Sequence, residues 1–234
     1  MKNRIRINGW TMAFALCFCA VFPYLLIRKA AGPVDAFFEI SGVMLILLGQ
    51  TLRASARGYK AERSNNGNAL VTDGPYALVR NPMYLGIVLI GTGVVFTVGQ
   101  FWALALFLGG FFFRYLYLFR KEEAALTQFF GAPYGEYTRK VPRIIPSIKT
   151  LVTRDPRNFL PLRMAWFARE LPGILVVLAA VMLVESWEEV SMIGWRGVLP
   201  SLAVFMSIIL FFVLAALHLS AHYAKISSNG KTAL

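Results

Sequence analysis

Two short stretches of this chain carry residue types whose spacing suits chemistry. The first is Arg80-Asn81-Pro82-Met83-Tyr84-Leu85-Gly86. Pro82 biases Asn81 toward an extended conformation and suits the first turn of a helix. Arg80, Asn81 and Tyr84 therefore gather round a helix N-terminus, which presents N–H groups without intrahelical partners and the positive end of the helix dipole. Gly86, one turn on, lets another backbone or a ligand approach closely. The second stretch is Arg120-Lys121-Glu122-Glu123. Adjacent helical residues point about 100° apart, so at most one of these carboxylates faces a given pocket. Two carboxylates at the mouth of an apolar helix are costly unless solvated or paired. The plain alternative to a site is a solvated charge cluster balanced by Arg120 and Lys121.

The elements that must position these residues are apolar. The chain has 234 residues, 57% of them hydrophobic and 15% charged, with a mean hydropathy of +0.59. Soluble domains carry about 45–50% apolar and about 25% charged residues. A disordered chain, a secreted disulfide scaffold and an ordinary soluble enzyme are excluded. Six apolar runs approach membrane-spanning length, about 17–25 residues, at 10–27, 36–52, 83–98, 101–118, 171–184 and 198–219. The expected fold is an all-α polytopic membrane helix bundle of about six transmembrane helices, with a site on its cytoplasmic face. Gly99-Gln100 alone separates the third run from the fourth, so these two form an antiparallel hairpin. Pro172 is expected in the first turn of the fifth.

Lys and Arg total 24 against 12 Asp and Glu, a net charge of +12. The basic residues lie between apolar runs rather than on one solvated face, which argues for topology control and against nucleic acid. With the N-terminus inside, all of them except Arg28, Lys29 and Arg196 fall on the cytoplasmic side, as the positive-inside rule requires. Both termini are then cytoplasmic. The first run has the basic start of a signal peptide, but Arg28 and Lys29 follow it in place of a small-residue cleavage site, so it reads as a retained anchor. Compact loops and short tails lean toward a bacterial inner membrane.

The chain divides into a first helix and outer loop (1–35), a core (36–146), a connector (147–170) and two further helices with a tail (171–234). The connector is basic and amphipathic, with Phe159, Leu160, Leu162, Trp166 and Phe167 among Arg154, Arg157, Arg163 and Arg169. Such a segment is expected to lie on the inner membrane surface and attract anionic lipid, either guiding an acceptor or simply joining two helices. Gly91-Thr92-Gly93 has no strand before it, so it is no nucleotide loop and suits close helix packing. Cys17 and Cys19 point about 200° apart on a helix and read as buried small residues. His218 and His222 share a helix face without an evident third ligand, so no metal site is assigned. Glu185, Glu188 and Glu189 read as a solvated outer loop.

Further motifs flank the two stretches: Leu70-Val71-Thr72-Asp73-Gly74-Pro75-Tyr76 upstream, then Phe130-Gly131, Tyr134, Tyr137 and Val141-Pro142 downstream. In this order the set resembles the isoprenylcysteine carboxyl methyltransferase and phospholipid methyltransferase family of integral membrane enzymes, over roughly residues 40–146. That family shows Arg-His-Pro-x-Tyr-x-Gly, a helical hairpin, a Glu-Glu pair, Phe-Gly-x-x-Tyr-x-x-Tyr and Val-Pro. Asn81 departs from the usual His; it keeps hydrogen-bonding capacity but cannot be protonated.

The resemblance implies S-adenosylmethionine as methyl donor, with Asn68, Ala69, Leu70, Val71, Tyr76, Asn81, Pro82, Met83, Tyr84, Gly86 and Glu122 as the cofactor site. Arg80, Glu122 and Glu123 are the candidate catalytic residues. Glu122 suits ribose hydroxyls or an amino group, Tyr76 and Tyr84 suit adenine or the sulfonium, and the backbone at Leu70 and Val71 suits the adenine edge. The plain alternative for both tyrosines is an interfacial anchor. The implied reaction is methyl transfer to a lipid or hydrophobic small-molecule acceptor. A membrane reductase using NADPH is a rival, because Val141 to Pro146 is similar to the closing motif of sterol reductases. A non-catalytic lipid-binding scaffold is the other, favoured by Asn81 alone.

Overall fold

The computed structural model describes residues 33–98, 100–147, 159–192 and 195–229, with positions 150, 152 and 155 between them. The first apolar run, with Cys17 and Cys19, lies outside the described residues. Among the described residues there are seven α-helices: α1 Pro33–Arg63, α2 Pro75–Leu78, α3 Pro82–Val98, α4 Phe101–Phe130, α5 Ala132–Lys140, α6 Met164–Met192 and α7 Trp195–Asn229. A short 3-10 turn, Asn65–Gly67, follows α1.

Each of the five apolar runs in this region is helical. Val34–Arg63, Trp102–Phe130 and Met164–Val184 are long and apolar enough to cross a membrane, whereas Pro82–Thr97 and Leu202–His218 are shorter apolar stretches. The helices overrun the apolar limits. α1 continues past Leu52 to Arg63 and α4 past Leu118 to Phe130, because helical backbone goes on after the apolar stripe ends.

Glycine sets the crossing of α1 and α3. A Cβ on Gly49 would stand 2.6 Å from the Gly86 carbonyl oxygen, and one on Gly93 would stand 2.5 Å from that of Gly42. Small residues let two backbones approach this closely, and in lipid that packing drives association. These pairs also give the direction: 42 meets 93 and 49 meets 86, so α1 and α3 are antiparallel. Gly93 thus serves helix packing as its sequence context indicates, and Gly91 receives the Phe107 ring of α4. The Tyr84 ring meets Tyr115 at 4.8 Å and Phe119 at 5.0 Å. α3 and α4 are therefore the expected antiparallel hairpin.

α6 packs against α1 through Ile174, Leu178 and Val181 in a cluster with Val43, Ile46 and Leu47, to which Phe205 and Ala216 of α7 add. Two expectations for this part of the chain are corrected. Pro172 is not at a helix start but inside α6, which begins at Met164. A proline withholds its N–H from the carbonyl four residues back, a loss that membrane helices tolerate. The connector's apolar residues are not presented to a surface either, since Phe159, Leu162, Trp166 and Phe167 are buried in the protein. Ser55 Oγ donates to the Pro161 carbonyl at 2.5 Å, the Trp166 ring lies against Gly58, and Trp166 Nε1 donates to Glu62 at 2.8 Å. Burial against α1 removes more apolar surface from water than an interfacial position would. Arg163 and Arg169 stay exposed.

Candidate active site

The C-terminal half of α1, the start of α3, the residues around Glu122 on α4 and the start of α6 all meet at one end of the bundle. Arg80 and Asn81 sit there just ahead of α3, after Val79 in extended conformation. Segment 141–143 runs beside them: the Arg80 N–H donates to the Pro142 carbonyl at 2.8 Å and the Asn81 N–H to the Arg143 carbonyl at 3.1 Å. The Asn81 side-chain amide donates to that Arg143 oxygen as well, at 3.3 Å.

Glu123 binds the pieces together. It pairs with Arg80 Nη1 at 3.0 Å and with Arg143 Nη2 at 2.6 Å, and Arg143 Nε donates to its other oxygen at 3.0 Å. The Arg80 and Glu123 side chains are only 13% and 17% exposed. This is a charge network that desolvation makes expensive to break. Arg120 and Lys121, the neighbours expected to balance the acids, are exposed; Glu123 takes Arg80 and Arg143 as its counterions. Tyr134, hydrogen-bonded to Arg80, has its phenol pushed up by burial and by Glu123, against the pull of Arg80. Arg80 Nε is buried with no hydrogen-bond partner among the described residues.

Glu122 faces another way, as the helical geometry requires. Its carboxylate accepts from the Tyr84 hydroxyl at 3.2 and 3.3 Å. Tyr84, Tyr115 and Phe119 make an aromatic wall beside it. The two acids therefore have two jobs, one tying the chain together and one standing at the mouth of the α3–α4 hairpin.

The loop residues are arranged differently. Asn68 and Ala69 turn back on their own loop, through Asn68 N–H to Asn65 at 3.1 Å and Ala69 N–H to Ser64 at 2.8 Å. Asn65 and Asn66 both take positive φ in this turn, a conformation that asparagine tolerates. Val71 and Tyr76 are buried with Ala56, Tyr59 and Trp166, and Met83 packs against them. The Tyr76 hydroxyl donates to the Ala56 carbonyl at 3.4 Å, and its own carbonyl accepts from Tyr137 at 2.7 Å. Burial pushes both of these phenols up. Pro82 is buried. Gly86 meets the backbone of α1 at Gly49 and the side chain of Arg53. The structure thus joins Arg80 to Glu123 and Tyr84 to Glu122, and links Val71, Tyr76 and Met83 in a separate cluster next to them.

Three structural contributors have no assigned role in the sequence: Arg143, Tyr137 and Asp73. Arg143 and Tyr137 stand in and beside the downstream motif, and their pairing with residues 62 and 61 positions earlier leaves no local signal. Asp73 accepts from Tyr59 at 2.6 Å and pairs with Arg63 at 3.3 Å, which fastens the loop to the end of α1.

Residues 38–133 match the family model described as phospholipid methyltransferase, so the resemblance carried by the motifs holds over that segment. The chain is 36% identical over 141 residues to a protein-S-isoprenylcysteine O-methyltransferase of Schizosaccharomyces pombe, covering 56% of this chain and 57% of that protein. It is 32% identical over 126 residues to the protein of that name from Homo sapiens, covering 48% and 43%, and 32% identical over 127 residues to the one from Mus musculus. The chain spans about half the length of the curated relatives it matches. No solved structure matches it.

Proposed function

We propose that this protein is an integral membrane methyltransferase that uses S-adenosylmethionine to methylate a lipid or lipid-like acceptor. The observation that carries this reading is the Tyr84–Glu122 pair at the mouth of the α3–α4 hairpin, inside the segment that matches the methyltransferase family. Its donor set fits the group. A carboxylate suits the ribose hydroxyls and the amino group of a cationic cofactor, and tyrosine faces suit a sulfonium. Held there by Glu122 and Tyr84, S-adenosylmethionine would supply an electrophilic methyl group to the acceptor atom, with the methyl–sulfur bond breaking and S-adenosylhomocysteine as the leaving group.

The chain's own part is to bind, orient and exclude water. Glu122 and Tyr84 hold the cofactor at the start of α3. Glu123 does not touch it in this reading; through Arg80 and Arg143 it fixes segments 79–82 and 141–143, so that the start of α3 is rigid. A displacement of this kind gains much of its rate from positioning. The loop at 68–71, fastened by Asp73 and by Tyr76, lies next to the mouth and closes the adenine side. Apolar helices of membrane-spanning length bring the acceptor from the side. The excess of basic residues at this end supports a cytoplasmic site.

The test is calorimetric binding of S-adenosylmethionine and S-adenosylhomocysteine to the purified protein in lipid nanodiscs, with NADPH as the control. Binding of the first two without NADPH is expected. Binding of NADPH alone overturns the reading in favour of a reductase, and binding of none of the three overturns it in favour of a scaffold.

A further inference from the structure

One strip of cations on α4 faces outward. Arg114, Tyr117 and Lys121 are all exposed, and at 3.6 residues per turn they share one side of the helix, within about 60° of each other. Among the described residues no carboxylate pairs with Arg114, Arg120 or Lys121. The Arg114 Cζ stands 5.9 Å from the centre of the Tyr115 ring, a contact that leaves the guanidinium its N–H donors. Glu122 and Glu123, the acids of α4, are turned about 80° and about 180° from Arg114. The first accepts from Tyr84, and the second carries Arg80 and Arg143.

The depth of these cations matters. Measured from Phe101, where α4 begins, Arg114 lies about 20 Å along the axis and Lys121 about 30 Å. In a hydrocarbon layer of about 30 Å, Lys121 is level with the headgroups and Arg114 stands about 10 Å below them. A charge that faces lipid at such a depth is costly without a partner. Arginine can snorkel toward a surface, yet Cα–Cβ bonds tilt toward the helix N-terminus, which here is the far side of the membrane. Arg114 therefore starts out aimed away from the nearer headgroups, and a phosphate drawn down to it relieves the cost.

Below the cations the same side of α4 is apolar and uncovered. Tyr117 is 73%, Phe113 77% and Leu106 65% exposed. Among them a Cβ on Gly110 would meet nothing, which leaves a notch in the helix surface. Leu106 to Tyr117 is about 17 Å of helix, close to half of a hydrocarbon layer of about 30 Å. We infer that this face of α4 binds a phospholipid of net negative charge. Arg114, Tyr117 and Lys121 hold its phosphate, and one acyl chain runs over Phe113 and the Gly110 notch toward Leu106. Arg120, one turn beyond Tyr117, adds the charge that favours an acidic lipid over a zwitterionic one. The lipid is bound and not consumed, because it lies outside the wall of Tyr84, Tyr115 and Phe119 and on the side of α4 turned away from Glu123. The inference does not rest on the methyltransferase reading.

The experiment titrates the delipidated protein in detergent with dioleoyl phosphatidylglycerol and with dioleoyl phosphatidylcholine, and reads bound lipid by native mass spectrometry. One tightly held phosphatidylglycerol per chain is expected, about tenfold or more tighter than phosphatidylcholine. Arg114→Gln is expected to weaken it about tenfold, Lys121→Gln and Tyr117→Phe several-fold, and Arg114→Lys less than Arg114→Gln. Lys140→Gln removes an exposed cation of α5 and is expected to leave binding within about twofold. Equal affinity for the two lipids, or equal binding by Arg114→Gln and wild type, overturns the inference. An equal loss in Lys140→Gln overturns it too, by making the attraction diffuse. A dimer that carries no lipid also overturns it and gives the face to a second copy of the chain. The wild-type protein in nanodiscs supplies the second measurement, with a phosphatidylglycerol that bears a diazirine in its acyl chain. Labelling within residues 103–114 is expected, and labelling confined to other helices overturns the inference.

Discussion

Asn81 gives two hydrogen bonds to a single oxygen, the backbone carbonyl of Arg143, one from its N–H at 3.1 Å and one from its side-chain amide at 3.3 Å. The role needs a donor and no titrating proton. That explains how asparagine can stand where the family pattern has histidine, whose ring N–H can also donate.

Replacement of Asn81 should therefore sort by donor capacity. Asn81→His is expected to keep S-adenosylhomocysteine affinity within about threefold, and Asn81→Leu to cost about 1 kcal/mol of stability, the ordinary worth of one such bond. Thermal unfolding in detergent and calorimetry of the two variants check this. Equal stability of both variants would remove the bond from the account.

The two adjacent glutamates should separate by phenotype. Glu122→Gln is expected to lower cofactor affinity about tenfold, or roughly 1.4 kcal/mol, with little change in unfolding temperature. Glu123→Gln leaves Arg80 without its partner in a largely buried place and is expected to cost about 2–4 kcal/mol of stability, near the range for a broken buried pair. Arg143→Gln, at an exposed position, should cost less than about 1 kcal/mol. A Glu123 variant as stable as wild type would refute the tying role.

Much of this arrangement is legible in the sequence, and its gaps have physical reasons. Pro82 announces the start of α3, and the 100° step between Glu122 and Glu123 announces that they part. Hydropathy finds the five described apolar helices but not their ends, because α1 and α4 run on with polar residues once the apolar stripe stops. The partner of Glu123 is harder. Arg120 and Lys121 are near in sequence, whereas Arg80 and Arg143 are brought in by folding. Segment 159–170 misleads for a related reason: an aromatic and arginine-rich amphipathic pattern suits a membrane surface and the flank of α1 equally well.

The glycines of the α1–α3 crossing should resist even alanine. Gly49→Ala and Gly93→Ala each place a methyl within 2.6 Å of a facing carbonyl oxygen, and each is expected to cost about 1–3 kcal/mol, the usual penalty for overpacking. Gly109→Ala and Gly110→Ala meet nothing nearby and should be neutral or stabilising. Unfolding temperatures of the four variants decide the point.

Alkaline stability should follow the buried phenols. Tyr76 and Tyr137 titrate above their ordinary value because burial disfavours the phenolate. A group whose folded pKa is raised contributes its full stability below the unfolded value, about 10 for tyrosine, and loses it as pH rises toward the folded one. The unfolding temperature is expected to fall above about pH 10, and Tyr137→Phe to flatten that fall. A Tyr137→Phe profile parallel to wild type would assign the decline to other groups.

α3 has 17 residues, about 25 Å of helix at 1.5 Å per residue, and is joined to a partner of 30 residues. A bilayer with a hydrocarbon layer of about 30 Å is too thick for the shorter member of this hairpin, and the mismatch is relieved when lipid thins around it or flanking side chains reach outward. The hairpin mouth is where Tyr84 and Glu122 stand, so thinning would draw nearby headgroups down toward them. On the proposed methyltransferase reading, lipid chain length then becomes a control on turnover, with the bilayer's own elasticity deciding how readily a lipid-borne acceptor would come level with the methyl donor.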